Sequence, residues 1–160
     1  PVSACATPAK SRLPIKNSGP AKQQITFNWL NGPTTNVGDF GTPDATTNYA
    51  VCLYADSTPV ANLDAPAGAA WAPKTWGFLY KNTTAPQVQG MKLQAGKTAG
   101  KAKVQVKGKG SLGLSSGLPF TGATQVTVQV IDSANNLCWA DTYSGAAITT
   151  NTAGQFKAKH

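Results

Sequence analysis

Two short motifs carry residue types that could serve in catalysis. Residues 113–117 read Gly-Leu-Ser-Ser-Gly, the G-x-S-x-G spacing that in hydrolases presents a nucleophilic serine, here Ser115, between a strand and a helix. A serine nucleophile also needs a base, but the flanks are Gly-rich and the single histidine is His160. Asp39-Phe-Gly matches the metal-binding triplet of kinases without the accompanying phosphate and catalytic loops, which favours a turn. The sequence therefore predicts a protein that is not an enzyme.

The acidic residues are too few and too scattered to predict a metal or glycosidase site. All six are aspartates, and glycoside hydrolysis needs two carboxylates that flank one bond. Asp39 and Asp44 share a loop and could contribute to a Ca²⁺ site, but calcium takes six to eight oxygen ligands. No close Cys/His spacing suggests zinc. We expect neither a metal nor a cofactor.

The basic residues form the clearest chemical pattern. Fourteen Lys and Arg against six acids give a net charge of +8. In residues 100–110 lysines alternate with apolar residues, and a strand would place them on one face. Such a patch could attract an anionic polysaccharide, lipid headgroups or nucleic acid, although a solvated strand face that discourages edge pairing has the same pattern. No nucleic-acid motif accompanies it, so no specific nucleic-acid partner is predicted. The candidate patch comprises Lys101, Lys103, Lys107 and Lys109, with Lys157 and Lys159 as further members.

Two tryptophans are candidates for a ligand platform. Trp71 lies in a Pro/Ala/Gly stretch, and Trp139 follows Cys138. An exposed indole beside amides can stack on a sugar ring, whereas packing beneath the loops is the alternative. Trp29 and Trp76 fall on apolar strand faces and are predicted to lie in the core.

The alternation of apolar and polar residues predicts an all-β fold. Short alternating runs, about nine of them with turn residues between, are typical of an antiparallel two-sheet β-sandwich, here over residues 21–160. Residues 87–95 and 100–110 are predicted to form a hairpin. The predicted core contains Val104, Val106, Val126, Val128, Phe27 and Trp29.

Residues 1–20 are predicted to form an extended N-terminal arm, because prolines at positions 1, 8, 14 and 20 disfavour helix and central-strand pairing. Val2, Leu13 and Ile15 would then pack on the sheet edge of a neighbouring copy. Such strand addition gives head-to-tail assembly. The predicted state is a homo-oligomer.

Three cysteines, an odd number, leave the pairing open. In an oxidising compartment two would pair, and Cys52 with Cys138 is favoured because both fall in predicted strands. Cys5 would then pair with another molecule or stay free. Three reduced, buried thiols are the alternative, since free cysteine packs as a small hydrophobe.

Several stretches together resemble a β-rich domain, without an assigned activity, that recurs in predicted secreted proteins of environmental bacteria. The resemblance covers residues 5–159 and implies a secreted β-rich domain. The stretches are Cys5-Ala-Thr-Pro-Ala-Lys, Phe27-Asn-Trp-Leu-Asn-Gly, Asp39-Phe-Gly-Thr-Pro, Tyr49-Ala-Val-Cys-Leu-Tyr, Gly100-Lys-Ala-Lys-Val-Gln-Val-Lys-Gly-Lys-Gly, Cys138-Trp-Ala-Asp-Thr-Tyr and Gln155-Phe-Lys-Ala-Lys.

These observations predict two functions. The first is a non-catalytic extracellular structural subunit that assembles into a filament or surface layer through its arm. The second is a secreted carbohydrate-binding or adhesion module that uses loop aromatics and takes a polysaccharide. The chain starts at Pro1, which suggests a removed signal peptide and an extracellular or cell-surface location. No run approaches the ~18 apolar residues of a membrane helix, so no membrane insertion is expected.

Overall fold

The computed structural model describes residues 1–84, 87–114 and 117–160, and it confirms the all-β sandwich. All strand neighbours pair antiparallel. The larger sheet contains, in spatial order, β11 (Ile148–Thr152), β12 (Gln155–Lys159), β1 (Lys10–Asn17), β2 (Gln23–Gly32), β8 (Ala102–Gly110), β7 (Val88–Gln94), β6 (Gly77–Lys81) and β5 (Trp71–Lys74). The smaller sheet contains β10 (Cys138–Ser144), β9 (Gln125–Asp132), β3 (Tyr49–Ala55) and β4 (Thr58–Ala65). Two short 3₁₀ helices cover Val37–Phe40 and Gly145–Ala147.

The inner faces of the two sheets form one hydrophobic core, as the alternation predicts. Each strand turns every second side chain inward, and β-branched and aromatic residues suit that half-buried surface. The predicted hairpin of β7 and β8 is confirmed. All the predicted core residues are at most 1% exposed: Val104, Val106, Val126, Val128, Phe27 and Trp29.

Two edge strands escape prediction from the sequence. The first, β5, contains Pro73, and proline is tolerated at a sheet edge because no ladder N–H is needed there. The second, β11, reads Ile-Thr-Thr-Asn-Thr and has little apolar alternation. Both pair on one side only, so their formation depends on the neighbouring strand more than on their own sequence.

The N-terminal region is not a free arm, and this prediction is wrong for residues 10–17. Strand β1 lies inside the larger sheet between β2 and β12, and Leu13 and Ile15 are fully buried in the chain's own core. Pro14 has no N–H to donate, and the Cα pairing with β2 is interrupted after Arg12 and resumes at Ile15. Two antiparallel neighbours therefore accommodate a proline that looks from the sequence like an edge signal.

The disulfide joins Cys5 to Cys138 with an S–S distance of 2.04 Å, so the predicted Cys52–Cys138 pair is wrong. Strand β9 lies between the strands of Cys52 and Cys138, which keeps these two residues apart. The chain before β1 runs instead along the edge of β10, where the Ala6 N–H donates to the Cys138 carbonyl at 2.8 Å. Cys5 thus reaches Cys138 within the molecule, and Cys52 is the free thiol.

Residues before Cys5 lie against the outer surface of the smaller sheet. The Gln129 side chain donates to the Val2 carbonyl at 2.7 Å and accepts from the Val2 N–H at 2.9 Å. Val2 is 39% exposed, and its packing on a neighbouring copy stays a prediction. In the described residues no helix has the length and apolarity to cross a membrane.

Candidate functional site

The outer face of the larger sheet gathers most of the positive charge. The alternation that buries Val104 and Val106 points the lysines of β8 outward, and the same alternation operates in β1, β6, β7 and β12. Lys101, expected in the patch, directly precedes β8 and is exposed. We call this surface the cationic face, and its basic residues are Lys10, Arg12, Lys16, Lys74, Lys81, Lys92, Lys103, Lys107, Lys109, Lys157 and Lys159.

The cationic face contains no acidic residue in any of its eight strands. The smaller sheet has the opposite composition, with Asp64, Asp132 and Asp141 in its strands and neither Lys nor Arg. Across residues 1–84, 87–114 and 117–160, the one contact within 4.0 Å between a basic and an acidic side chain is that of His160 Nδ1 with Asp141 Oδ2, at 3.0 Å. No lysine or arginine there has a carboxylate partner, so their field extends into solvent.

Strand register sets the spacing of these charges and places amides between them. One row across the sheet runs from Leu79 through Lys92, Gln105, Asn28 and Arg12 to Lys159. Neighbouring strands lie about 4.8 Å apart, so Lys92 and Arg12 are separated by roughly 14 Å with two amides in between. Gln105 Nε2 donates to Asn28 Oδ1 at 2.9 Å, and each amide keeps further donor and acceptor positions.

Two shallow depressions indent the cationic face near its two ends. The first, of about 320 Å³, lies between Arg12, Lys157 and Lys159 above Pro14. The second, of about 280 Å³, lies over Gly90. Hydroxyl-bearing anionic ligands can find both charge and hydrogen bonds on such a surface.

Trp76 and Lys92 form a contact that the sequence does not predict. Trp76 lies in the turn between β5 and β6 and is half-buried rather than in the core. The Lys92 ammonium lies 4.7 Å from the centre of its ring, a cation–π distance. The indole thus positions one of the lysines beside the Gly90 depression.

The predicted aromatic platform is wrong, because Trp71 and Trp139 are both 3% exposed. They belong to a chain of rings inside the core: Phe40 contacts Trp139 at 5.2 Å, and Tyr49 contacts Trp71 at 5.4 Å between centroids. Trp71 Nε1 donates to the Pro66 carbonyl at 2.9 Å. Burial raises the pKa of Tyr49, whose hydroxyl donates to the Phe40 carbonyl. These rings stabilise the fold and offer no face to a ligand.

A serine, an aspartate and a histidine do meet where the two sheets join, in an order unlike that of a hydrolase. Ser11 Oγ donates to Asp141 Oδ2 and accepts from the Tyr143 hydroxyl at 2.6 Å. His160 Nδ1 contacts the same carboxylate at 3.0 Å rather than the serine. Burial raises the pKa of Tyr143, and Ser11 is fully buried. The cluster therefore ties β1 to β10.

Other candidate residues have structural partners. Asp39 Oδ2 accepts from the Asn36 N–H at 2.7 Å at the start of a 3₁₀ helix. Cys52 Sγ lies 3.5 Å from Asn62 Oδ1. Among the described side chains no group of three His, Cys, Asp or Glu could hold a metal ion. Ser115 of the G-x-S-x-G motif lies outside the described residues.

No family model matches the chain, and no curated protein or solved structure shows a significant match to it. The resemblance to a secreted bacterial β-rich domain thus stays a prediction. The cationic face is the candidate site on the strength of its own geometry and charge.

Proposed function

We propose that the protein is a non-catalytic, extracellular binding module that holds an anionic polysaccharide on its cationic face. The observation that carries this proposal is the complete separation of charge between the sheets. The strands of one sheet hold basic residues without any acid, and none of those basic residues forms an intramolecular ion pair within the described chain. Unpaired cations spread over one face of a sheet favour an extended polyanion.

The amides favour a polysaccharide over a nucleic acid. Gln105 and Asn28 lie side by side between Lys92 and Arg12, and sugar hydroxyls need both donors and acceptors. Single-stranded nucleic acid is held mainly by stacking on exposed aromatic rings. Trp71 and Trp139 are buried, and Lys92 covers Trp76. The Cys5–Cys138 disulfide suits an oxidising, extracellular setting.

Self-assembly as a structural subunit stays a prediction that needs another contact surface. The segment expected to dock on a neighbour, β1, is part of the chain's own sheet. A filament or surface layer formed by strand addition would use the edges β4, β5 or β11 instead. The open charge of the cationic face favours the binding module.

The test is binding to immobilised polygalacturonate, with neutral dextran as the uncharged reference. The double variant Lys107→Gln, Lys157→Gln removes two charges from the face. The matched control Lys22→Gln, Lys97→Gln removes two exposed charges from turns outside the face. We expect the first pair to weaken binding about tenfold, or ~1.4 kcal/mol, and the control to weaken it far less.

Three results would contradict the proposal. The first is no binding to polygalacturonate at physiological salt. The second is equal loss in the two double variants, because binding would then follow net charge rather than the face. The third is tighter binding to single-stranded DNA than to polygalacturonate at the same salt, which would indicate a nucleic-acid partner.

A further inference from the structure

Gly90 has no structural reason to be a glycine. It lies in β7 at a position from which a side chain would point to the cationic face, and its φ is not positive. A Cβ built there meets nothing closer than the Tyr80 carbonyl oxygen at 3.8 Å, an ordinary contact. By contrast, a Cβ on Gly108 in β8 would lie 2.8 Å from Ile25 Cγ2. Glycine within a strand weakens it, and one explanation is the close approach of a ligand.

The bulge beside Gly90 does not require glycine either. The pairing of β7 with β8 shifts between Val88 and Gly90. A bulge demands glycine where its first residue is left-handed, and Gly90 is not left-handed. The absence of a side chain at Gly90 therefore leaves an indentation that the backbone conformation does not require.

We call the depression over Gly90 the Gly90 pit. The residues around it combine positive charge, an amide and an apolar side chain. Lys81 and Lys107 are the cross-strand partners of Gly90 on its two sides, so their Cα atoms lie about 10 Å apart across the pit. Lys92 is two residues along β7, about 7 Å away, with its ammonium held over Trp76. Gln105 and Leu79 are the partners of Lys92.

Leu79 distinguishes the Gly90 pit from a simple anion site. It is 39% exposed and is the one large hydrophobic residue of the cationic face so exposed among the described residues. A free sulfate or phosphate gains nothing from an apolar wall. A sugar ring presents C–H groups on one face and hydroxyls at its rim, so it fits an apolar side chain next to an amide. A carboxylate on that ring would meet the lysines.

We propose that the Gly90 pit is the subsite for one uronic-acid unit of the polysaccharide, a proposal that rests on the function proposed above. The ring lies over Gly90 against Leu79, its carboxylate contacts Lys92 and Lys107, and Gln105 bonds a hydroxyl. The polymer then continues along the row of Asn28 and Arg12 toward the depression at Lys157, roughly 15–20 Å away.

The test fills the pit without removing charge. Gly90→Val suits a strand and has room for its Cβ, so it should fold with an unchanged or higher melting temperature. We expect it to weaken binding to polygalacturonate about tenfold, as expected for one lost charge-assisted contact, and Gly90→Ala to have a smaller effect. Dextran sulfate, which needs charge alone, should bind Gly90→Val as it binds the unmodified protein.

Ala50→Val is the control, because it adds bulk in β3 of the smaller sheet, at a half-buried position away from the cationic face. It should leave polygalacturonate binding nearly unchanged. If Gly90→Val binds polygalacturonate normally while Lys107→Gln, Lys157→Gln does not, the subsite is wrong and the polysaccharide function stands. Equal loss for both polymers would also overturn the subsite, since the pit would not discriminate a uronate. If the unmodified protein does not bind polygalacturonate, both proposals fail.

Discussion

The two sheets share a core but differ in what their outer faces present. The larger sheet exposes lysines and amides over eight strands, and no segment of the described chain covers them. The smaller sheet has four strands without Lys or Arg, and its outer face is partly covered by the chain's own N-terminal residues through Gln129. The outer face of the larger sheet is thus exposed to solvent, whereas the outer face of the smaller sheet is partly covered by the N-terminal residues next to the disulfide.

Because the two outer faces differ in this way, substitutions that affect stability and substitutions that affect binding should lie in different parts of the molecule. Cys5–Cys138, Trp139 and the Ser11–Asp141 contact all lie at the smaller sheet or its junction with β1. Substitutions there should change the free energy of unfolding. The charged residues of the cationic face make no ion pairs within the described chain, and surface substitutions of this kind change stability by about 0.5 kcal/mol or less. Substitutions on this face should therefore change binding alone.

The largest contrast is expected from one carboxylate placed on each sheet. Val128→Asp puts it at a fully buried position of β9, and a buried unpaired charge costs about 3–5 kcal/mol out of a total of ~5–15 kcal/mol. Thr26→Asp puts it on the cationic face, opposite Lys107, where it gains a partner. We expect the first variant to be unfolded by circular dichroism. We expect the second to stay folded and to bind polygalacturonate less tightly.

Two results would erase the contrast. A cooperative thermal transition for Val128→Asp near that of the unmodified protein would mean that β9 is not central to the core. Loss of the β-strand circular dichroism signal in Thr26→Asp would mean that residues of the cationic face contribute to the stability of the fold.

An intermediate effect is expected from removal of the disulfide. Cys5→Ala with Cys138→Ala opens a loop that joins residues 133 apart in sequence, and loss of a native disulfide typically costs about 2–5 kcal/mol. Urea unfolding should show a lower midpoint, whereas affinity for polygalacturonate at low temperature should be unchanged. Cys52→Ala is the matched control and should unfold near the unmodified midpoint. A midpoint that is the same in both variants would contradict the assigned pairing.

Local alternation could be read from the sequence, and long-range pairing could not. Val104, Val106 and the lysines of β8 follow from a two-residue period that the backbone imposes on each strand. The position of β1 does not, because Pro14 signals an edge and only the order of strands shows it inside a sheet. Cys5 and Cys138 are far apart in sequence, so their proximity depends on the path of residues 1–9.

The candidate site was likewise predictable only where its residues are close in sequence. The lysines of residues 101–109 form a patch in the sequence, and Lys157 and Lys159 can be added to it. Arg12, Lys81 and Lys92 join the face only through register across five neighbouring pairs of strands. Gly90 is one glycine among sixteen, and its place between Lys81 and Lys107 requires the sheet. The prediction for Trp71 and Trp139 was wrong because both lie in strands, β5 and β10, and are buried in the core.

The smallest effect concerns the reactivity of the Cys52 thiol. It tests whether β3, in the middle of the smaller sheet, shields this thiol from solvent. Burial raises the pKa of this thiol, Asp64 raises it further, and a hydrogen bond with Tyr54 opposes the shift. The thiolate is the reactive form, so alkylation of the folded protein should accelerate at a higher pH than alkylation of the same protein in urea. Mass spectrometry should find one label on the non-reduced protein and none on Cys52→Ala. An equal pH midpoint in the folded and unfolded states would show that the thiol is open to water, and two or three labels would show that Cys5 and Cys138 are not joined.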